Sequence, residues 1–522
     1  MSMRGAAIYA AIAGYISLSY ELLWFRAYSY DTGGSPVTFG LVLGIYLAGL
    51  AVGADVTGKI CTRKNSSSRQ QTLLLGSIVL AANVTGFLVI PVMANTARFD
   101  LLLWSSFLMM GIAAAFFGGI LPLVSNLAVT ADQRSGRNVS IIYFANTAGC
   151  VAGSLLTGFV VMDLWSTRAI SIGLAGLAMF LTVAARRDRP GAMLSVPVIA
   201  VAVLAIATPL LFDRLYEKLQ FKNAYTGQRF AYVVENRHGV VATTSDGITF
   251  GGGVYDGRIS TSLIPDRNGI RRAYAAVALH PDPERVLVIG LSTGAWADVI
   301  ANSPEVDSVS IVEINPGYLD IMKHFPLVAS LPRHPKVKLS IDDGRRWLVH
   351  HPEEKFDLIV YNATFHYRAN ATNLMSREFL QLIRSHLRKG GIYFFNTTGS
   401  QDAYKTAFSE FPYGMRVMNF VAVSDSPIRL DPARWDEMIR RHLAAGTSTV
   451  DLTNADDVSR LADLRSFPGS IDRYPTGMGL ESRESVLGRI PEAGVITDDN
   501  MLPEWRTLLL RTGPVEEHGA GH

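Results

Sequence analysis

Several groups of residues in this chain have the types and spacing for chemistry on a nucleoside. Gly290 and Gly294 flank Ser292 directly after the apolar run Val286-Leu-Val-Ile. A glycine turn between a strand and a helix lets a ligand approach backbone N–H groups at the helix start. Glu313 closes the next apolar run, 23 residues after Gly290, where a carboxylate accepts both hydroxyls of a ribose. Asp342 and Asp343, before Gly344, end a third run and are placed to meet the amino group of an adenine. Past a fourth run lie Asn362, His366 and Tyr367. His366 is read as a base for a hydroxyl or amine acceptor; the alternative is an exposed loop histidine. Tyr255, Asp256 and Arg258 sit on a hairpin placed to form the opposite wall. For the whole set the alternative is a Rossmann-like domain with solvated strand-end acids and an empty site. No metal site is expected.

The elements that must position these groups follow from the pattern of the second half. Residues 213–284 alternate strand formers with Asp246-Gly, Gly251-Gly-Gly and Tyr255-Asp-Gly turns, which reads as β-hairpins. Arg271–His280 then reads as a helix stopped by Pro281. From residue 285 to 425, short apolar runs alternate with helical stretches, giving a doubly wound sheet with ligand at the carboxyl ends of its strands. Residues 426–522 read as a helical and loop-rich extension ending in a polar tail.

The first 212 residues obey another solvent. Mean hydropathy is +0.22 with 18% charged residues, too apolar for an ordinary soluble enzyme, and the excess lies in this half. Seven segments, near 5–25, 36–58, 72–94, 101–125, 139–162, 166–184 and 193–212, have the ~20 apolar residues that cross a ~30 Å hydrocarbon core. Gly40/Gly44 and Gly149/Gly153 are four apart, a spacing that packs helices closely in lipid. Alternate loops carry Arg4, Lys59, Arg63, Lys64, Arg69, Arg134, Arg137, Arg186, Arg187 and Arg189, against Arg26, Arg98 and Arg168 on the other side. The richer side is expected in the cytoplasm. Seven crossings then put the amino terminus inside the cell membrane and the C-terminal half outside it. Glu21 and Arg26 form a polar site in the first segment, either an interfacial pair or part of a groove.

Net charge is +3, and no basic stripe with interleaved aromatics points to nucleic acid. Cys61 and Cys150, the two cysteines, do not make a disulfide framework. The cysteine-free second half fits an exported domain slightly better than a cytosolic one.

Together the hairpins, Val286-Leu-Val-Ile-Gly, Val312-Glu-Ile-Asn, Asp342-Asp-Gly-Arg-Arg, Ser376-Arg-Glu-Phe and Leu387-Arg-Lys-Gly-Gly resemble spermidine synthase. With Tyr20-Glu-Leu-Leu-Trp-Phe-Arg26, Thr372-Asn-Leu-Met-Ser-Arg-Glu-Phe and Thr497-Asp-Asp-Asn-Met-Leu-Pro-Glu504, nearly the full chain is similar to bacterial membrane-fused spermidine-synthase-like proteins. The resemblance implies a class I methyltransferase-type sheet and S-adenosylmethionine or its decarboxylated form as donor, bound by Gly290, Ser292, Gly294, Glu313, Asp342 and Asp343. It also exposes departures. The family's Asp in its Gly-rich loop is Thr293 here, its middle Gly is Ser292, and its catalytic Asp is Asn362; the gate helix reads Tyr274-Ala-Ala. An amide neither takes a proton from an amine nor balances an ammonium.

The expected function is therefore a membrane-anchored transferase whose acceptor is a small molecule, lipid or membrane-linked glycan rather than a polyamine, with Asn362, His366 and Tyr367 as the catalytic set and Tyr255, Asp256 and Thr293 on the acceptor side. The alternative is an inactive domain acting as a membrane-bound sensor or assembly factor.

Overall fold

A computed structural model describes residues 1–62, 67–99, 102–186, 192–362, 365, 368, 371–446, 448, 450–473 and 479–500. His366, Tyr367 and the tail from 501 lie outside the described residues. The chain forms two compact units: residues 1–230 with 235–240, and residues 231–234 with those from 241 onward. The division falls later than residue 212 because the helix Leu215–Phe221 and the turn at 235–240 pack with the apolar helices.

Among the described residues of the first unit, six helices are long and apolar enough to cross a membrane: Met3–Thr32, Val37–Cys61, Ser68–Phe99, Trp104–Ala128, Ser135–Leu164 and Thr167–Ala185. The seventh expected segment differs. Val196–Leu211 meets the same standard only together with Leu215–Ala224, and the pair bends by 53°.

Small residues bring these helices to backbone contact. A Cβ at Gly149 would lie 1.9 Å from the Ala11 carbonyl oxygen, and one at Gly153 would lie 2.6 Å from that of Tyr15. The Gly40/Gly44 pair faces open space; Gly49 and Gly53 instead meet Ala114 and Ala115. Polar side chains add ties across helices: Asn83 accepts from Tyr20 Oη at 2.8 Å and donates to the Ala175 carbonyl at 3.3 Å.

The second unit is built on an eight-stranded sheet. A smaller antiparallel sheet precedes it, with strands β1 (Tyr232–Asn236), β2 (Gly239–Thr243), β3 (Ile248–Gly251) and β4 (Val254–Arg258) in that order. Gly252 and Gly253, at φ +57° and +84°, make the β3–β4 turn that only positive-φ residues allow without strain.

The large sheet contains β5 (Arg285–Ile289), β6 (Ser308–Glu313), β7 (Val337–Ile341), β8 (Phe356–Tyr361), β9 (Leu387–Asn396), β10 (Tyr413–Val417), β11 (Phe420–Ser424) and β12 (Leu480–Ser482). Its order is β12-β10-β11-β9-β8-β5-β6-β7. The pairs from β7 through β9 are parallel, and β11, β10 and β12 join antiparallel. Val286 and Val288 pack into one face cluster, Leu287 and Ile289 into the other. Burial on both faces explains the unbroken apolar runs. Chain order reverses at β5, whose neighbours are β6 and β8, so a crevice for ligand falls at the carboxyl ends of these strands.

The extension is more integrated than a helical cover. β12 pairs with β10, and Val486, Ile490 and Ile496 join the core under the sheet.

Candidate functional site

The β5 turn is shaped by three positive-φ residues: Gly290 at +88°, Ser292 at +51° and Gly294 at +79°. Glu313, 4% exposed at the end of β6, holds this turn from the neighbouring strand. Its Oε2 accepts from Leu291 N at 2.6 Å and Ser292 N at 3.4 Å, and its Oε1 accepts from Asn315 N at 2.8 Å. Burial pushes this carboxyl's pKa up and the three backbone N–H donors oppose the shift. A carboxylate offers about four acceptor positions, so acceptor capacity remains beyond these bonds.

The Ser292 hydroxyl donates to the Asp256 carbonyl oxygen, fastening the turn to β4. Thr293, 5% exposed, donates to the Arg258 carbonyl at 3.4 Å and accepts from Ala295 N at 3.4 Å. The Asp256 carboxylate accepts from the Tyr318 hydroxyl and faces Arg368 Nη1 at 3.5 Å. Burial, with Asp256 beside it, drives the Tyr318 hydroxyl pKa upward, so it stays a proton donor. Gly251 is required here, because a Cβ would lie 2.0 Å from the Asp256 carboxylate and 2.2 Å from the Tyr318 oxygen. Neither Tyr318 nor Arg368 stands in a recognisable sequence pattern; only the fold brings them to Asp256.

Asp342 and Asp343 are both engaged. Asp343 caps the helix Gly344–His350 by accepting from Arg346 N at 2.8 Å, and Asp342 accepts from Arg346 Nε at 2.6 Å. The late acidic motif reaches the same end of the sheet. Asp498 takes both Nη atoms of Arg345, at 2.8 and 2.5 Å, and the Ser376 hydroxyl at 2.6 Å.

Asn362, expected in the catalytic set and lying just past β8, accepts through Oδ1 from Asn396 Nδ2 at 3.2 Å. Asn396 Oδ1 accepts in turn from Asn419 Nδ2 at 2.9 Å. Amides thus line the strand ends where the resemblance places an acid. Tyr255, 38% exposed on β4, has its pKa raised by burial, with Arg258 and Arg272 pulling it back. Tyr274 is committed elsewhere, with its hydroxyl 2.6 Å from His442 Nδ1 in the extension.

The membrane-type polar pair does not form. Arg26 meets Glu235 at 3.7 Å and donates to the Asn236 carbonyl at 2.5 Å. Glu235 also accepts from Thr167 Oγ1 and Tyr216 Oη, each at 2.6 Å. Glu21 makes no ion pair among the described residues. Five helical positions turn a side chain well round the axis from its partner, which separates Glu21 from Arg26.

Comparisons with known proteins place this domain. Residues 273–415 match the spermine/spermidine synthase domain family. A polyamine aminopropyltransferase of Korarchaeum cryptofilum is 31% identical over 134 residues, covering 24% of this chain and 41% of that protein. Polyamine aminopropyltransferase 2 of Streptomyces coelicolor is 24% identical over 435 residues, covering 78% of this chain and 76% of that one. The chain spans between 39% and 60% of the length of the first three curated relatives it matches. A spermidine synthase solved in complex with the transition-state analogue AdoDATO aligns with TM-score 0.34 at 16% identity, over 40% of this chain and 79% of that one. Residues 273–415 are thus similar to the spermine/spermidine synthase domain family, and among the described residues they follow six to seven helices long and apolar enough to cross a membrane.

Proposed function

We propose that this protein is a membrane-anchored transferase that moves a group from an S-adenosyl-type donor to a non-polyamine acceptor, a lipid or membrane-linked glycan. The observation that carries the reading is the contrast between two strand ends. Glu313 keeps a buried carboxylate with spare acceptor capacity at the nucleoside side, whereas Asn362 puts an amide at the acceptor side. The donor, S-adenosylmethionine or its decarboxylated form, supplies a sulfonium-activated carbon to a nucleophile. Glu313 would hold its ribose hydroxyls, and the Gly290 turn would admit it to the backbone. His366 and Tyr367, outside the described residues, are the proton acceptors that this reading proposes.

The apolar helices supply the anchor. Seven crossings, counting the bent pair as one span, together with the loop charge bias, support a cytoplasmic amino terminus and an extracytoplasmic C-terminal domain.

The direct test is calorimetric titration of the full chain in detergent with both donors. Saturable binding that Glu313→Ala weakens supports the reading; no binding of either donor overturns it.

A second reading, an inactive sensor or assembly factor, is favoured by one feature. Asp342 and Asp343 are already partnered by Arg346, and each oxygen of Glu313 accepts from backbone N–H groups. Donor binding without transfer separates this reading from the first.

A further inference from the structure

Arg272 is the second residue of the helix Arg271–Leu279, and its guanidinium has no hydrogen-bond or ion-pair partner among the described residues. Its Nε is buried and unsatisfied. The guanidinium carbon lies 5.6 Å from the centroid of the Phe420 ring, which stacks on Phe394 at 4.8 Å and Trp296 at 5.3 Å. Gly269 gives the group room, because a Cβ there would lie 2.7 Å from its carbon. Phe420 pairs in register with Asn396, the residue that bonds Asn362. Arg272 therefore stands one strand from the amide-lined end, and it interacts electrostatically with Tyr255 of the opposite wall.

Nearby acids do not neutralise it. Asp266, the foremost acidic influence on Arg272, spends its carboxylate on the N–H groups of Asn268, Ile270 and Arg271. Arg258, the other cation beside Tyr255, is already paired with Asp246 at 2.6 Å. Arg271 reaches outward to Asp463 at 2.9 Å. A half-buried guanidinium left without an anion is costly unless something pairs with it. An ammonium brought to the same place would meet a like charge.

We propose that the acceptor carries an oxyanion, a carboxylate or phosphate, that pairs with the Arg272 guanidinium. The fork of a guanidinium matches either group through two parallel hydrogen bonds. This inference rests on the transferase reading and narrows its acceptor from any non-polyamine to an anionic one.

The test uses the full chain in phosphatidylcholine nanodiscs, titrated calorimetrically with succinate, inorganic phosphate and putrescine in the presence of S-adenosylmethionine. Succinate or phosphate is expected to bind saturably and putrescine not at all. Arg272→Gln should weaken anion binding roughly tenfold or more, Arg272→Lys should retain part of it, and Arg271→Gln should leave it unchanged. Adding phosphatidylglycerol to the nanodiscs distinguishes the source. Displacement of succinate from the wild type by phosphatidylglycerol nanodiscs but not by pure phosphatidylcholine ones assigns the anion to a lipid headgroup, and undisturbed succinate binding assigns it to a soluble acceptor. Absence of anion binding, equal binding in Arg272→Gln, or binding of putrescine overturns the inference. S-adenosylmethionine binding is read in the same samples. If it persists while anions fail, the inference falls and the transferase reading stands; if it fails while anions bind at Arg272, the transferase reading falls and the acceptor role of the anion falls with it. Should Arg272→Gln lose the nucleoside as well, Arg272→Lys against Arg271→Gln decides.

Discussion

Asn362 and Asn396 close the ends of adjacent parallel strands with a side-chain hydrogen bond of 3.2 Å, amide to amide. Asn362→Asp keeps an acceptor for Asn396 and adds a charge. Putrescine, which the wild type should not bind measurably, should become a saturable ligand of the variant, as about 1.5–3 kcal/mol for a hydrogen bond to a charged group allows. Calorimetry on the variant checks this, and unchanged affinity would show that the amide is not what excludes amines.

Close helix packing makes a paired prediction in the first unit. Gly149→Ala drives a Cβ into the Ala11 carbonyl and should destabilise by about 1–3 kcal/mol. Gly40→Ala meets nothing within 4 Å and should be neutral or mildly stabilising. Thermal unfolding in one detergent compares the two; equal midpoints would contradict the packing.

His442 links the extension to pH. It is 4% exposed, lies 2.6 Å from both Tyr274 Oη and Ser448 Oγ, and burial pushes its pKa down to about 4. The unfolded chain, near 6.5, binds the proton more readily. Stability is therefore complete above about pH 6.5, falls as pH drops towards 4, and levels below that, by on the order of 3 kcal/mol. Unfolding midpoints across that range check it. His442→Gln should flatten the slope.

Much of the sheet is legible in sequence, because a strand buried on both faces needs an unbroken apolar run such as Val286–Ile289. Glu313 is legible for a similar reason: its spacing from Gly290 is fixed by one strand–helix–strand step. Arg272 and Arg368 are not, since each owes its place to partners far away in the chain, and Asp498 stands in a quoted motif whose pairing with Arg345 only the fold reveals. β12 is three residues long and has no periodicity to detect. The Gly40/Gly44 spacing points to a contact that Gly49/Gly53 makes instead, because spacing does not say which helix face is covered. Composition likewise finds the seventh apolar segment but not its 53° bend.

That bend gives a topological prediction. Alkaline phosphatase fused after Phe212 should be active, reporting the extracytoplasmic side. An inactive fusion, with a cytoplasmic reporter fluorescent at the same position, would mean an even number of crossings and would put the domain on the side where S-adenosyl donors are made.

The transferase claim is tested most directly by following the donated group. Membranes containing the full chain are incubated with S-adenosylmethionine labelled in its methyl group and, separately, with the decarboxylated form labelled in its propyl chain. One label should move from the nucleoside to an organic-extractable lipid or glycan-linked fraction with the wild type, and not with Glu313→Ala. Label recovered in spermidine, or a bound donor whose label never leaves it, would contradict the account.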